Sequence, residues 1–502
     1  MKKYSLTLLL AALLVFTACA NGDGGADTPA RTDVNLALGE PIGTLDPHFM
    51  PLIVESIMRN HIFDTMFLYE DDGTLTPMLA LSYDVCADGL VHTFHIRQGV
   101  TFHNGAPLTA SDVAFSIERA RLSPFMATVV AVIDTVEVID TYTVAVTALN
   151  PFALFPAFVG DIAIVNEAHV NAVGDDIIDL PIGTGPYMLY EHNRNVSLTL
   201  VANPDYWGGA PSIETVNFRI ITDASTALIA FEAGELDRAV IPAANWNDIV
   251  AQDSWNTSLN PTLHTTYIIF NHEAEPFTDV RVRQAVNYAI NREEMVIFAF
   301  EGLATPAYTM TNTDFVFGAT DDVRKYRFNP DRAKELLAEA GFPDGLTIPP
   351  ILTLGGGFFE PVAITLQAHL RAVGIEAEVE VREAAAYVAD LMGGNFTIGI
   401  MGIMVGYDMD QYRTVFHSER IDNLNMARFS HPRVDELFEI GMVAQTEAER
   451  LAAYRELNQI VQEEAVYAPV FFRLDPVAYD RNLNLTHRVI GTYRITEWSW
   501  SS

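Results

Sequence analysis

Hydrophobic and polar positions along this 502-residue chain switch repeatedly between two periods. In Val91-His92-Thr93-Phe94-His95-Ile96, residues His92, Phe94 and Ile96 share one face, the two-residue period of a strand. That alternation sets His92 and His95 on opposite faces, so His92, His95 and His103 read as structural. Downstream, Thr109 precedes a run with Asp112 at the third helical position. Val113, Ile117 and Ala120 follow on one stripe, which predicts a capped helix start. Asn329 and Pro330 predict another helix, with Ala333, Leu336, Leu337 and Ala340 inward and Gly341 ending it. Segments 351–354, 360–372 and 375–381 read as strand, helix and strand, a parallel βαβ unit with Ala363, Leu366 and Leu370 inward. The uncharged run 396–406 is about half a membrane span and reads as a buried strand. Residues 447–464 carry Leu451, Tyr454, Leu457 and Val461 at helical spacing, and Pro469 through Phe472 predict a last strand region. Such alternation predicts an α/β architecture, and the length predicts two or three lobes.

The first residues change the picture. Met1-Lys2-Lys3 precedes an apolar run from Leu6 to Phe16 and then Thr17-Ala18-Cys19, the layout of an export signal over residues 1–18. Phe-Thr-Ala-Cys resembles a lipobox, with Phe16 where Leu is usual, so Cys19 is the expected acylated first residue. An ordinary secretory signal with a chance Cys is the alternative. The Gly- and Asp-rich stretch after it predicts a flexible tether over 19–33. Cys86 is then the one thiol left, which excludes an internal disulfide, and it reads as a small buried hydrophobe.

Net charge is -35, with 65 acidic residues against 30 basic. An acidic surface repels phosphate backbones and anionic headgroups, which disfavours nucleic acid and direct membrane docking. The chain holds no Gly-x-Ser-x-Gly elbow, no His-Glu-x-x-His and no Gly-Lys dipeptide for a phosphate loop. Gly183-Thr184-Gly185 lacks the third glycine of a dinucleotide fingerprint, since Met188 stands there. Asp408-x-Asp410 lacks the Gly and Glu of a calcium loop. No cofactor, metal site or catalytic residue is expected.

Several longer stretches carry a resemblance. They are Leu45-Asp46-Pro47, the segments 72–80 and 88–113, Gly183-Thr184-Gly185-Pro186-Tyr187, and Asn203-Pro204-Asp205-Tyr206-Trp207. Phe270-Asn271 with 276–285, Asn329-Pro330, Gly374-Ile375 and 428–435 continue the series. Together they resemble the peptide-, nickel- and oligopeptide-binding proteins of bacterial ABC importers, extracellular solute-binding protein family 5. The resemblance implies a two-lobed periplasmic-binding-protein-like (type II) α/β fold with an extra N-terminal subdomain. It places lobe I at 34–48, 182–269 and 477–502, the inserted subdomain at 49–181, and lobe II at 270–476. The motif glycines Gly99, Gly105, Gly183 and Gly185 read as scaffold, not as ligand contacts.

In peptide binders of this family an Asp beyond the strand equivalent to 399–405 pairs with the peptide's α-amino group. Here the loop 406–413 lacks both usual prolines, so Asp408 and Asp410 both remain candidates, with Tyr407, Tyr412 and Arg413 beside them. Arg382 is either a partner for a ligand carboxylate or a surface arginine. Trp246 is either a stacking wall or a core residue, and Asn271 completes the expected set. The implied function is capture of short peptides outside the cytoplasmic membrane by a lipid-anchored monomer, and delivery to membrane permease subunits by hinge closure. A nickel chelate, an opine or an oligosaccharide is the alternative solute, and an exported hydrolase the alternative class.

Overall fold

The computed structural model describes residues 31–501, apart from 51–52, 71–73, 153, 445 and 490–492. The export segment with Cys19 lies outside the described residues. The tether expected to reach residue 33 gives way to structure earlier. Arg31 forks onto Asp237 at 2.6 and 2.7 Å, and Asp33 opens the first strand.

An eleven-stranded sheet forms the backbone of the molecule. Its path runs Val379–Arg382, Ile351–Leu354, Ile398–Met404, Trp255–Phe270, Tyr467–Asp480, Arg238–Val240, Asp33–Leu38, Thr215–Ile220, Ser197–Ala202, Tyr187–Asn193, with Ala304–Pro306 added beside Tyr467–Asp480. Parallel pairing occupies both wings, around Ile351–Leu354 in the second lobe and around Asp33–Leu38 in the first. Two long antiparallel strands, Trp255–Phe270 and Tyr467–Asp480, belong to both wings. A separate four-stranded sheet orders Ala80–Val85, Val91–Ile96, Thr143–Ala148 and Ile133–Asp140. The helix Ala110–Ala120 packs on it through Val113 and Ile117.

Local sequence accounts for most of these elements. Val91–Ile96 buries alternate residues, His92 among them, while His95 faces out to Asp84 at 2.8 Å. Thr109 and Asp112 close a reciprocal capping box, and Asn329 caps Pro330–Glu339 through the Arg332 N–H. The expected strand 375–381 is two strands. Ile375–Glu376 pairs with Leu346–Thr347 in its own small sheet, and Val379–Arg382 then joins Ile351–Leu354. Cys86 also departs from expectation. It is exposed in the turn after Ala80–Val85, where its thiol meets Asp88 at 2.7 Å and its sulfur accepts the Val91 N–H.

The glycine motif is scaffold. A Cβ on Gly183 would lie 2.0 Å from the Ile62 carbonyl oxygen, and one on Gly185 2.6 Å from Ile62 carbonyl carbon. That close approach lets buried Asp64 accept from Thr184 at 2.9 Å, Tyr206 at 3.1 Å and Trp207 at 2.8 Å. Two separate motifs thus meet on a carboxylate far from both in sequence. Beside it His61 is fully buried. Its Nδ1–H donates to the Ile57 carbonyl and its Nε2 accepts from the Ile495 N–H, which fixes a neutral ring.

Burial holds the His61 pKa down to about 4, and His48, His264 and His487 also fall to about 4. A depressed histidine stabilises the fold fully above its unfolded value near 6.5, and that stability is lost as pH falls toward 4. For His61 the expected slope is about 1.4 kcal/mol per pH unit in that window. Urea unfolding at pH 7 and pH 5 should show the loss, and His61→Gln should flatten the slope. An identical slope in the variant would contradict the neutral-ring assignment.

Candidate ligand cleft

Strand directions fix where a solute can sit. Trp255–Phe270 leaves the first lobe, where Ser258 faces Val477, and enters the second, where His264 faces Met404 and Phe270 faces Ile398. Arg238–Val240 is antiparallel to Tyr467–Asp480, so the first lobe's parallel strands run toward the second lobe. Ile398–Met404 and Ile351–Leu354 run the opposite way, toward the first. The ends at Leu38 and Val240 therefore face those at Leu354 and Met404 across a floor made of 258–264 and 473–477. In open α/β sheets, ligands bind beyond such carboxyl ends.

The loop after Ile398–Met404 forms a constrained wall of the second lobe. Asp408 caps the short helix Met409–Tyr412, accepting from the Asp410 N–H at 2.8 Å, while Gln411 reaches back to the Asp408 N–H. Gly406 makes this possible, since a Cβ there would lie 1.9 Å from Gln411 Oε1. Both Asp408 oxygens accept from Arg450 Nη2, at 2.9 and 3.1 Å. Arg450 also lies 5.0 Å over the Phe317 ring and donates to Tyr454, whose hydroxyl donates to Asp410 at 3.3 Å. Tyr454 is wedged between Gly318 and Gly441, each of which would put a Cβ 2.5 Å from its ring. Burial, and then the Asp408 charge, push the Asp410 carboxyl up to about 6.

The sequence-predicted residues therefore divide. Tyr407, Asp408, Asp410 and Tyr412 come together at the cleft wall, but all are buried and the two carboxylates are engaged inside the second lobe. Arg413 points to Glu439 and Glu419, which also approach His417 within the 4.8 Å span of a potential metal cluster. The guanidinium already offsets one of those two negative charges. Arg382 is exposed on an edge strand, with Glu380 at 3.2 Å and Asp390 at 3.6 Å. Trp246 packs in the first lobe's core with Phe231 and Ile249. Asn271 is buried and donates to the Gly394 and Phe396 carbonyls, a strand-end clamp. Two floor residues outside the expected set, His264 and Arg473, lie where the strands Trp255–Phe270 and Tyr467–Asp480 cross between the lobes.

Asp408→Asn should leave the Arg450 guanidinium buried without a counter-charge and destabilise the chain by about 3–5 kcal/mol. The paired change Asp408→Leu with Arg450→Met should recover most of that loss, because no lone charge remains. Urea midpoints of the single and double variants read it directly. Additive losses would mean the pair is not the fold's own contact.

Comparison with known proteins places this geometry. A model of the family described as "Bacterial extracellular solute-binding proteins, family 5 Middle" matches residues 74–422, more than half of the chain. Heme-binding protein A of Haemophilus influenzae is 27% identical, with 94% of each chain covered. Glutathione-binding protein GsiB of Salmonella paratyphi A is 27% identical, over 90% of this chain and 91% of that one. In fold, the chain is similar to the periplasmic binding protein DppA from Helicobacter pylori in complex with the peptide STSA. That match has a TM-score of 0.78 and 24% identity, and covers 94% of this chain and 99% of that one. The chain belongs to family 5 of the bacterial extracellular solute-binding proteins, the solute-binding components of ABC importers.

Proposed function

We propose that the chain captures short peptides in the cleft between its two lobes and hands them to the permease subunits of an ABC importer by closing around them. The observation that carries this reading is the facing of two sets of strand ends across a floor that both lobes share. A solute touching both walls favours the closed state, because only there does it gain both sets of contacts. The glutathione named for one relative is itself a short peptide, which supports that solute class, while the heme named for another, an iron chelate, keeps a chelate as the second reading. Lobe I at 34–48, 182–269 and 477–502, the subdomain at 49–181 and lobe II at 270–476 are the bodies that would move. The loop 406–413 acts as a rigid wall in this reading, with Asp408 and Asp410 holding its shape.

Binding without turnover is the expected behaviour. Small-angle scattering with saturating glutathione or Ser-Thr-Ser-Ala should show a smaller radius of gyration. An unchanged radius with calorimetric saturation would exclude closure, and release of cleaved product would favour the hydrolase class.

The anchor belongs to the same proposal. No helix among the described residues is long and apolar enough to cross a membrane. The motif Phe16-Thr17-Ala18-Cys19 supports attachment through diacylglycerol on Cys19, whose two chains hold where one alone binds marginally. Cys19→Ala should shift the protein from the membrane to the soluble fraction, and unchanged fractionation would refute the anchor.

A further inference from the structure

The second lobe meets the gap with apolar side chains. Ile403 and Met404 end the strand Ile398–Met404 and Val405 follows, and all three are half-buried against the lobe's core. Phe317, also half-buried, lies beside the loop that leaves this strand. Its N–H donates to the Tyr407 carbonyl at 2.7 Å, and its carbonyl accepts from the Met409 N–H at 2.9 Å. Across the gap, Val240 is half exposed at the end of a first-lobe strand.

The polar groups of the same loop are turned into the lobe. Asp408 gives both oxygens to Arg450 and also accepts from the Asp410 N–H. Gln411 commits its amide oxygen to the Asp408 N–H at 3.2 Å, which leaves its NH₂ group, a donor, as the remaining end. Arg413 is held by Glu439 and Glu419. Asp410 comes nearest to an exception, since its partner is the Tyr454 hydroxyl at 3.3 Å, but it is 7% exposed. In a chain with 65 acidic residues, a wall that turns its carboxylates inward is not short of them by composition. A solute ammonium pressed against this wall would give up water with no carboxylate to replace it, whereas an apolar group would gain by leaving water. The wall stands at the carboxyl ends of the strands, where open α/β sheets hold their ligands, so the solute is what covers it.

We infer that the wall formed by 403–405 and Phe317 receives an apolar, uncharged part of the captured solute and reads no ammonium. The loop's carboxylates then do not take the α-amino role that the resemblance implied for them. The inference rests on the cleft being the capture site, and it narrows the solute to one that brings an apolar face to the second lobe.

Calorimetry on the purified chain tests it with Ser-Thr-Ser-Ala and Leu-Phe-Ser-Ala, each with a free and an acetylated amine. Hemin serves as an apolar probe without a peptide bond. Leu-Phe-Ser-Ala should bind about tenfold tighter than Ser-Thr-Ser-Ala, the scale of burying a large apolar side chain. Val405→Asp should cost the acetylated apolar peptide about tenfold by setting a bare charge against it. Val405→Thr, close to isosteric, should cost less, and a thermal midpoint near that of wild type separates lost contact from lost fold. Any cost of acetylation should be the same in wild type, in Asp410→Asn, and in Asp314→Asn, which alters the exposed carboxylate ahead of Phe317. A cost of acetylation that vanishes in either Asn variant means an ammonium is read at the wall. That result overturns the inference and leaves peptide capture intact. Equal binding of every ligand by wild type and Val405→Asp overturns it too. If hemin alone binds, one to one, and weakens in Val405→Asp, the apolar wall stands and the peptide reading falls. Failure of every probe to bind wild type overturns the inference as well.

Discussion

Pairing between Trp255–Phe270 and Tyr467–Asp480 is the constraint on which the rest of the molecule depends. Each strand contributes to both wings of the sheet, so their register decides which residues of one lobe stand opposite the other. The ladder is regular through Pro261 in the first lobe. It shifts between Pro261 and Thr265 and again between Thr266 and Tyr267. Such irregularities bend a strand and raise its local twist without ending it. Placed at the crossing, they let one continuous sheet serve two bodies and leave polar groups at the floor unbonded to the ladder.

Much of the fold could be read from the chain because its elements obey local rules. Thr109 with Asp112, Asn329 with Pro330, and the alternation through Phe94 each state a local structure that tertiary packing then accepts. The split of 375–381 was not legible, because a parallel strand's partner is set by distant chain and not by its own pattern. Cys86 failed for a related reason. Burial statistics describe residue types, while an edge turn with Asp88 and Val91 offers a thiol its hydrogen bonds at the surface.

The candidate site was legible as a place and less so as chemistry. The loop 406–413 does stand at the strand ends facing the gap, yet its carboxylates serve Arg450 and Tyr454. Sequence gives charge and spacing, but the partner of Asp408 lies 42 residues away on the helix Glu447–Glu463, and no local pattern announces it. Arg382 looked free because its strand end was visible and Asp390 was not.

The lobes share a further tie, around which the proposed closure would have to occur. The segment after Leu483–Asn484 turns back over the crossing strands. Leu263 donates to the Val489 carbonyl at 3.1 Å, and Ser258 lies 3.0 Å from His487. Val489 packs in the second lobe's core, while neighbouring Arg488 reaches Glu70 and Glu497, both at 2.6 Å. A strap fixed to both bodies permits rotation about an axis that passes near it and resists translation. The gap can then narrow at its mouth while the floor, with His264 and Arg473, barely moves. A solute anchored at the floor would keep its first contacts throughout and add the wall at 405–413 last. In the proposed closure, contact at the floor and contact at the wall would be separable steps, the first made before the lobes rotate and the second set by the shape of the solute.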